Sequence, residues 1–485
     1  MAKKIKLGTN PLYDKKAQRL QVIADFNEGN HEVLKNPVYL WPHEFEQSKG
    51  GEKIRKIREL RSRYTNCVEI VISTWVSLVL KNDPTIPQEV IDLFTEEGIS
   101  DVDAEGRDIK TFMREVVAPI YFAYGNPHIL TNAPATPAIS QSEQVAMGIK
   151  PFWKALSPLE IKDWLLDSSV PSVKKYKAIR WEYFAEKERE SILEKAVLQR
   201  QCQAFQIKNG AVVDMRFVAD GSGENPDWEI TSETPLNGFK EIPIAFVNSD
   251  SWLYGVDEQQ LRLFNLESSL DCQLNSQAFQ RIFISGMTSE KAKVTISEYI
   301  INFLPEGANV VIAEPTNPVA LMARIEQVSS LLFKVAFNRQ FVLSPTSKEA
   351  PGADTTKAMR EEQLALVLNA IDDLEMLLNK AIQHYALFKN KKNFKGKVTL
   401  SRDVDELDIE RAIQLAQSVY DDMKQYPTWF KEFLKSVAKK MQLGDEEEIL
   451  KEIDAGSAAG PKSLKSIIEN RLNGNNQEVS GTATV

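Results

Sequence analysis

Histidine and cysteine are scarce in this chain of 485 residues, which holds four of the first and three of the second. His31, His43, His128 and His384 include no pair at a metal-ligand spacing such as i and i+4 on a helix, so a zinc-type centre is not expected. His384 falls near the end of a helical pattern, where a favourable dipole or core packing explains it. Cys67, Cys202 and Cys272 are scattered and odd in number, which excludes a disulfide framework and suits buried free thiols in a reducing cytoplasm. Long apolar runs are missing too. The longest, Cys67 to Leu80, spans about 14 residues and contains Glu69, against the roughly 20 that cross a bilayer. Met1-Ala-Lys-Lys-Ile-Lys-Leu-Gly8 has basic residues but no apolar stretch behind them, so no secretory leader is expected. The expectation is a soluble, non-exported chain with no membrane partner.

An excess of basic charge is also absent, because 59 Lys and Arg stand against 68 Asp and Glu, a net charge of −9. That excludes tight DNA binding through phosphate neutralisation, which needs clustered cations. It leaves room for DNA that slides past a mildly acidic wall, although an ordinary acidic cytosolic protein has the same balance. Catalytic motifs are lacking as well. Gly456-Ser-Ala-Ala-Gly460-Pro461-Lys462-Ser463 departs from a phosphate-binding loop in its glycine spacing, and Pro461 supplies no N–H. Gly221-Ser-Gly lacks the surroundings of a nucleophile elbow. Asp372 with Asp373, and Glu446 to Glu448, read as solvated helix faces. The eight Trp residues are spread through the elements, which suits core packing over a stacking platform. No catalytic, metal or cofactor residue is assigned, and an enzyme is not expected.

What is present is enough apolar sequence, 43%, for two or more structural units. Residues 1 to about 50 read as an irregular arm. From Glu52 to Leu80 the positions Ile54, Ile57, Leu60, Tyr64, Cys67, Ile70, Ile72 and Val76 predict one long helix or two, buried mostly in the second half. Asp101 to Tyr124 reads as helical, with Ile109, Phe112, Val116 and Val117 on one side. Residues 125 to 145, with Pro127, Pro134 and Pro137, read as a loop. The period then changes, and Ile149–Trp164, Lys177–Phe184, Gln201–Ile207, Val212–Val218 and Trp228–Ile230 read as strands. Asp220-Gly-Ser-Gly is a hairpin turn. A small β unit over 145–250 closes at Ile242-Pro-Ile-Ala-Phe-Val247, so the fold class is α+β.

The most informative stretch follows. A helix opens at Asp257, with Gln260 as capping-box partner, and carries Leu263, Leu266, Leu270, Leu274, Ala278 and Ile282 on one face. A second opens with Asn317 as N-cap and Pro318 at its first position, and carries Leu321, Ile325, Val328, Leu332 and Val335 at heptad-like spacing. Between them Lys293-Val-Thr-Ile-Ser and Asn309-Val-Val-Ile-Ala read as short strands around the turn Pro305-Glu-Gly. The sum is a helical hairpin with a β tip. Leu343-Ser-Pro-Thr-Ser-Lys-Glu-Ala-Pro-Gly-Ala-Asp354 is a loop, and a third helix starting near Asp354 or Thr355 carries Leu364, Leu368, Ile371, Leu374, Leu378 and Ile382. Lys397-Val-Thr-Leu leads to helical stretches 407–425 and 428–453, with Trp429, Phe430, Phe433 and Leu434. The polar remainder after Ala455 lacks the apolar content of a packed core.

Ile179-Arg-Trp in the β unit, Glu241-Ile-Pro-Ile-Ala-Phe, a Leu- and Asn-rich helix ending in Ile284-Ser-Gly, Leu304-Pro-Glu-Gly-Ala and a helix from Pro318 together resemble the portal proteins of tailed bacteriophages. The resemblance covers roughly 60 to 455 and lies in the order of elements. It implies an N-terminal arm over 1–50, a wing over 51–255, a first stem helix over 256–284 and a clip over 285–316. A second stem helix over 317–342, a channel loop over 343–356, a wing helix over 357–400, a crown over 401–455 and a flexible tail over 456–485 follow. It also implies a head-to-tail ring of twelve subunits at one capsid vertex, assembled in the host cytoplasm and carried in the virion, through which double-stranded DNA is packaged and ejected. The implied partners are the terminase large subunit, a head–tail adaptor, the major capsid protein and scaffold. Lys334, Arg339, Lys348 and Glu349 are the candidate channel-lining residues, with Glu267 and Asp271 also facing lumen or solvent. Lys291, Lys293, Glu298, Tyr299 and Glu306 are the candidate clip contacts. A cytosolic helical scaffold without a pore is the alternative, and a nucleic-acid enzyme the weaker rival.

Overall fold

The computed structural model describes residues 4–47, 51–96, 99–132, 150–167, 175–186, 197–221, 226–236, 239–278, 282–285, 309–312, 318–337, 353–391 and 393–404. The chain is of mixed α+β class. The described residues within Met1–Ile23, Glu69–Leu253 and Ser347–Val485 form one compact unit. Those within Ala24–Val68 and Tyr254–Thr346 form a second.

In the first unit the period-two segments become an antiparallel sheet of six strands. β1 (Lys4–Ile5), β10 (Asp227–Leu236), β9 (Ala211–Asp220), β8 (Leu198–Lys208), β7 (Tyr176–Glu186) and β6 (Ile161–Leu166) lie side by side in that order. Register puts Trp181 opposite Gln203 and Ile179 opposite Phe205. Because alternate side chains share a face, Ile179, Trp181, Phe205 and Val212 enter one core with Ile242 and Ile244. The other face packs Cys202, Ala204, Phe217, Ala219 and Trp228. Gly221 follows β9 with φ 105°, a conformation open to glycine at no steric cost, and the rest of the expected Asp220-Gly-Ser-Gly turn lies outside the described residues.

A smaller sheet joins β11 (Ile244–Phe246), β4 (His128–Asn132) and β5 (Phe152–Leu156). Two expectations change here. Residues 128–132 are a strand, not loop; the prolines that flank them hid a segment whose Ile129, Leu130 and Thr131 are all buried. The run Ile149–Trp164 is broken into β5 and β6 by a turn in which the Ser157 amide donates to Glu160 Oε2 (2.7 Å). The helical reading of 101–124 is correct only from Ile109. Asp108 caps α6 (Ile109–Phe112) by accepting from the Thr111 amide (2.7 Å), whereas 101–107 is a loop held by Asp101 and Asp103. A π-helical turn, Met113–Val117, precedes α7 (Ala118–Tyr124). Pro119 lacks the N–H that the preceding turn would use, which the wider turn accommodates.

The lead-in is not irregular. Helix α1 (Pro11–Glu28) begins at Asn10, whose side chain accepts from the Leu12 amide (2.9 Å), and it buries Leu20, Ile23, Ala24 and Phe26. A short α2 (Asn30–Lys35) follows. Glu52–Leu80 forms two helices, α3 (Gly51–Arg61) and α4 (Cys67–Val79), and α4 is buried along nearly its whole length as its apolar composition requires. α5 (Gln88–Phe94) leads into the minute pair β2 (Thr95–Glu96) and β3 (Ile99–Ser100).

Helix α8 (Val256–Ala278) and helix α9 (Val319–Phe337) lie in the second unit. The 36-residue α10 (Ala353–Phe388) lies in the first, where it packs on β11 and β4 and buries Val367, Ala370, Ile371, Leu374, Leu378 and Ile382. Beyond α10, Val398 and Leu400 are buried and Thr399 bridges Thr85. Lys293–Ser297, Asn317, 343–352, the helical stretches 407–453 and the tail lie outside the described residues.

Candidate functional site

The second unit is organised around a helix–β–helix hairpin. α8 and α9 pack on each other, and a Cβ placed on Gly255 at the start of α8 would meet Val335 Cγ1 near the end of α9 at 3.2 Å. The two helices therefore run in opposite directions. Past the far end of α8, β12 (Ile282–Ser285) pairs antiparallel with β13 (Asn309–Ile312), Ile282 opposite Ile312 and Ser285 opposite Asn309. β13 is as expected. Ile282 is corrected from the last position of a helical stripe to the first residue of a strand, in keeping with the β-branched and aromatic run Ile-Phe-Ile.

The apolar stripe of α9 is real: Ile325, Val328, Leu332 and Val335 are buried, and Leu321 is partly so. That of α8 is only half the explanation of its packing. Leu263 is buried, Leu266 and Leu270 are intermediate, and Leu274 is 44% exposed. Polar side chains do the rest. Asn265 Oδ1 accepts from the Trp41 amide (2.7 Å) while its Nδ2 donates to the Tyr39 carbonyl (2.8 Å). Gln260 is no capping-box partner of Asp257; its Oε1 accepts from the Cys67 amide (3.1 Å) and its Nε2 donates to the Thr65 carbonyl (2.8 Å). Ser268 pairs with Ser62 (2.7 Å). Buried backbone groups outside regular elements need such partners, so α8 is the template on which 39–67 is laid.

Beneath α3 the same logic produces an ion pair. Arg58 Nε and Nη2 reach Glu46 Oε1 and Oε2 at 2.7 and 2.8 Å, and Nη2 also donates to the Trp41 carbonyl (2.6 Å). Burial opposes ionisation of Glu46, but the Arg58 guanidinium and the His43 amide override it and hold the carboxyl below its ordinary range. His43 is pushed down by burial and by Arg58. α3 is thus turned inside out relative to expectation. Arg58 points in, whereas Ile54, Ile57 and Leu60 point out at 49, 49 and 81% exposure.

The candidate channel residues fare unevenly. Lys334 is exposed on α9. Glu267 is half-buried and accepts from Thr65 Oγ1 (3.0 Å), and Asp271 is half-buried with its carboxyl raised by burial against the pull of Arg63. Arg339, Lys348, Glu349, Lys291, Lys293, Glu298, Tyr299 and Glu306 lie outside the described residues. Sequence reasoning gave Gln260 a different role and missed Asn265 and Ser268, which lie on the side of α8 away from the leucine stripe, where a polar residue carries no signal of a buried partner.

Elsewhere several polar groups are tied into the packing. Asp373, read as a solvated acid, accepts from buried Tyr121 (2.8 Å), and exposed Asp372 pairs with Arg402. His128 is buried against Tyr176 and Phe246, and His384 against Glu241. Among the described residues, no cluster of three His, Cys, Asp or Glu could hold a metal ion, and no helix is long and apolar enough to cross a membrane. No protein-family model matches the chain, and no curated protein matches it either.

Proposed function

We propose that this chain is a portal protein of a tailed bacteriophage, a ring subunit whose work is to form a conduit for DNA. The observation that carries the reading is the antiparallel hairpin of α8 and α9, extended by the β12–β13 pair and set in a unit separate from the antiparallel sheets. A stem helix, a β-containing clip and a second stem helix would have this order, with sheet-bearing wing segments before them and α10 after. The portal-like arrangement of wing, stem, clip and crown is likewise part of the proposal.

In this reading α8 and α9 line up around a central axis, and the clip beyond β12 and before β13 meets the terminase large subunit during packaging and the head–tail adaptor afterwards. A ring multiplies the subunit charge of −9, so its wall repels the duplex and keeps it centred with few points that grip phosphate. Head-to-tail contacts between identical subunits close when the rotation per subunit divides a full turn.

The test is negative-stain electron microscopy of the purified protein combined with its mass in solution. Rings with a central hole and a mass of about 660 kDa, twelve chains of 54.8 kDa, are the expected result. A particle of one or two chains at all salt and protein concentrations overturns the reading and favours a scaffold without a pore.

A further inference from the structure

The described surface of the second unit carries two apolar edges on different helices. On α3, Ile54, Ile57 and Leu60 recur every third residue and project outward, with Leu60 at 81% exposure. Trp41 lies on the inward side of the same helix, where its carbonyl accepts from Arg58. On α9, Val319 and Met322 are 61 and 47% exposed, one helical turn apart and away from the stripe that packs inward. α8 packs against both α3 and α9.

A helix that buries its arginine and displays its isoleucines and leucine is poorly arranged for a lone subunit. Burying Arg58 with Glu46 carries a desolvation cost, and the apolar side chains that would fill that space without it are left in water. The orientation becomes favourable once the ridge is covered. Large exposed apolar patches mark interaction sites, and the present one has a counterpart on the same unit.

We propose that the α3 ridge is the surface on which a second copy of this chain seats the outer edge of its α9, so that Ile54, Ile57 and Leu60 of one subunit meet Val319 and Met322 of the next. The assignment rests on the ring reading above and names its contact. A ring needs two different surfaces per subunit, one for each neighbour. Packing α3 on α3 would give a closed dimer instead, and it would bring exposed Lys53, Lys56 and Arg61 against their own copies. The same cations beside an apolar ridge would also suit an anionic lipid surface, but that occupant leaves the α9 edge uncovered.

The experiment compares full-length protein with Leu60→Glu and Met322→Glu, both at exposed positions, by native mass and electron microscopy. Far-UV circular dichroism and thermal melting show that each variant is folded. Each substitution is expected to lower the ring fraction at fixed concentration about tenfold or more. A second arm adds a short bis-maleimide to the double variant Leu60→Cys/Met322→Cys; a ladder of oligomers that needs both cysteines supports the head-to-tail contact. Dimers from Leu60→Cys alone overturn it. Rings that persist in folded Leu60→Glu overturn the contact while the ring reading stands, whereas wild-type protein that never forms rings overturns both. Binding of wild type to phosphatidylglycerol vesicles that Leu60→Glu abolishes, with rings intact, assigns the ridge to lipid and overturns the proposal.

Discussion

Arg58 and Glu46 form a two-pronged ion pair sealed inside the unit that carries the hairpin, their side chains 2 and 0% exposed and their contacts 2.7 and 2.8 Å long. Arg58 also holds the Trp41 carbonyl, so the pair joins α3, the turn before it and the 39–42 segment. Removing one partner leaves a buried charge uncompensated. Arg58→Met is expected to cost about 3–5 kcal/mol in urea unfolding of a non-assembled form, and the double change with Glu46→Leu to recover much of that. A loss under about 1 kcal/mol for Arg58→Met would place the pair with solvent-screened surface bridges and contradict its burial.

Asn265 satisfies an amide and a carbonyl of the 39–41 segment with a single side chain. Asn265→Leu nearly conserves volume and adds apolar surface, yet it orphans both backbone groups. The expected outcome is destabilisation of about 1–3 kcal/mol. Hydrogen exchange reads the same change locally, with protection lost first at the Trp41 amide. Unchanged exchange at Trp41 would show that Asn265 is not its partner.

These residues also show where the sequence was legible. Strands β7 to β10 were readable because alternation along Ile179, Trp181 and Phe205, Ile207 leaves few other structures to choose. The stripe of α9 was readable for the same reason at helical period. α1 escapes the periodic pattern although Asn10-Pro11 is the same start signal as Asn317-Pro318, because its apolar residues cluster in its second half and its first half is polar. α8 and α3 defeat the pattern rule in a different way. Gln260, Asn265 and Arg58 face inward to satisfy groups distant in sequence, and periodicity holds no record of a partner that lies some 200 positions away. β4 is hidden because Pro127 and Pro134 read, in the sequence, as loop residues around five residues that tertiary pairing turns into a central strand.

Thiol chemistry gives a third check. Cys67 and Cys202 are buried and Cys272 is half-buried, and burial pushes the Cys202 thiol up to about 12 and raises Cys272 as well. Since the thiolate is the reactive form, native protein at mildly alkaline pH is expected to react slowly with an aromatic disulfide reagent, Cys272 first. Denaturation should release all three cysteines of the chain at once. Fast labelling of Cys202 in folded protein would contradict the packing of β8 against Phe217 and Trp228.

Acid should destabilise the fold well before ordinary carboxylates titrate, and the sign follows from two histidines. His128 is buried with its Nε2 on the Tyr176 hydroxyl (2.8 Å), and burial drives it down to about 3. His384 is lowered by burial, while Glu241 at 3.7 Å pulls the other way across a gap too long for a hydrogen bond. Both folded values lie below the unfolded value of about 6.5, so the unfolded chain binds more protons as pH falls below it. The stability these neutral rings contribute is fully present above about pH 6.5 and is lost on acidification, by up to about 1.4 kcal/mol per pH unit for each ring. Glu46, held below its ordinary range by Arg58, adds a loss of the same sign at lower pH, as its carboxylate is protonated. Urea midpoints at a series of pH values from 7 to about 4 test this, with His128→Gln and His384→Gln each expected to remove one ring's share of the slope. Stability that holds level or rises between pH 7 and about 5 would mean that neither ring is buried in its neutral form.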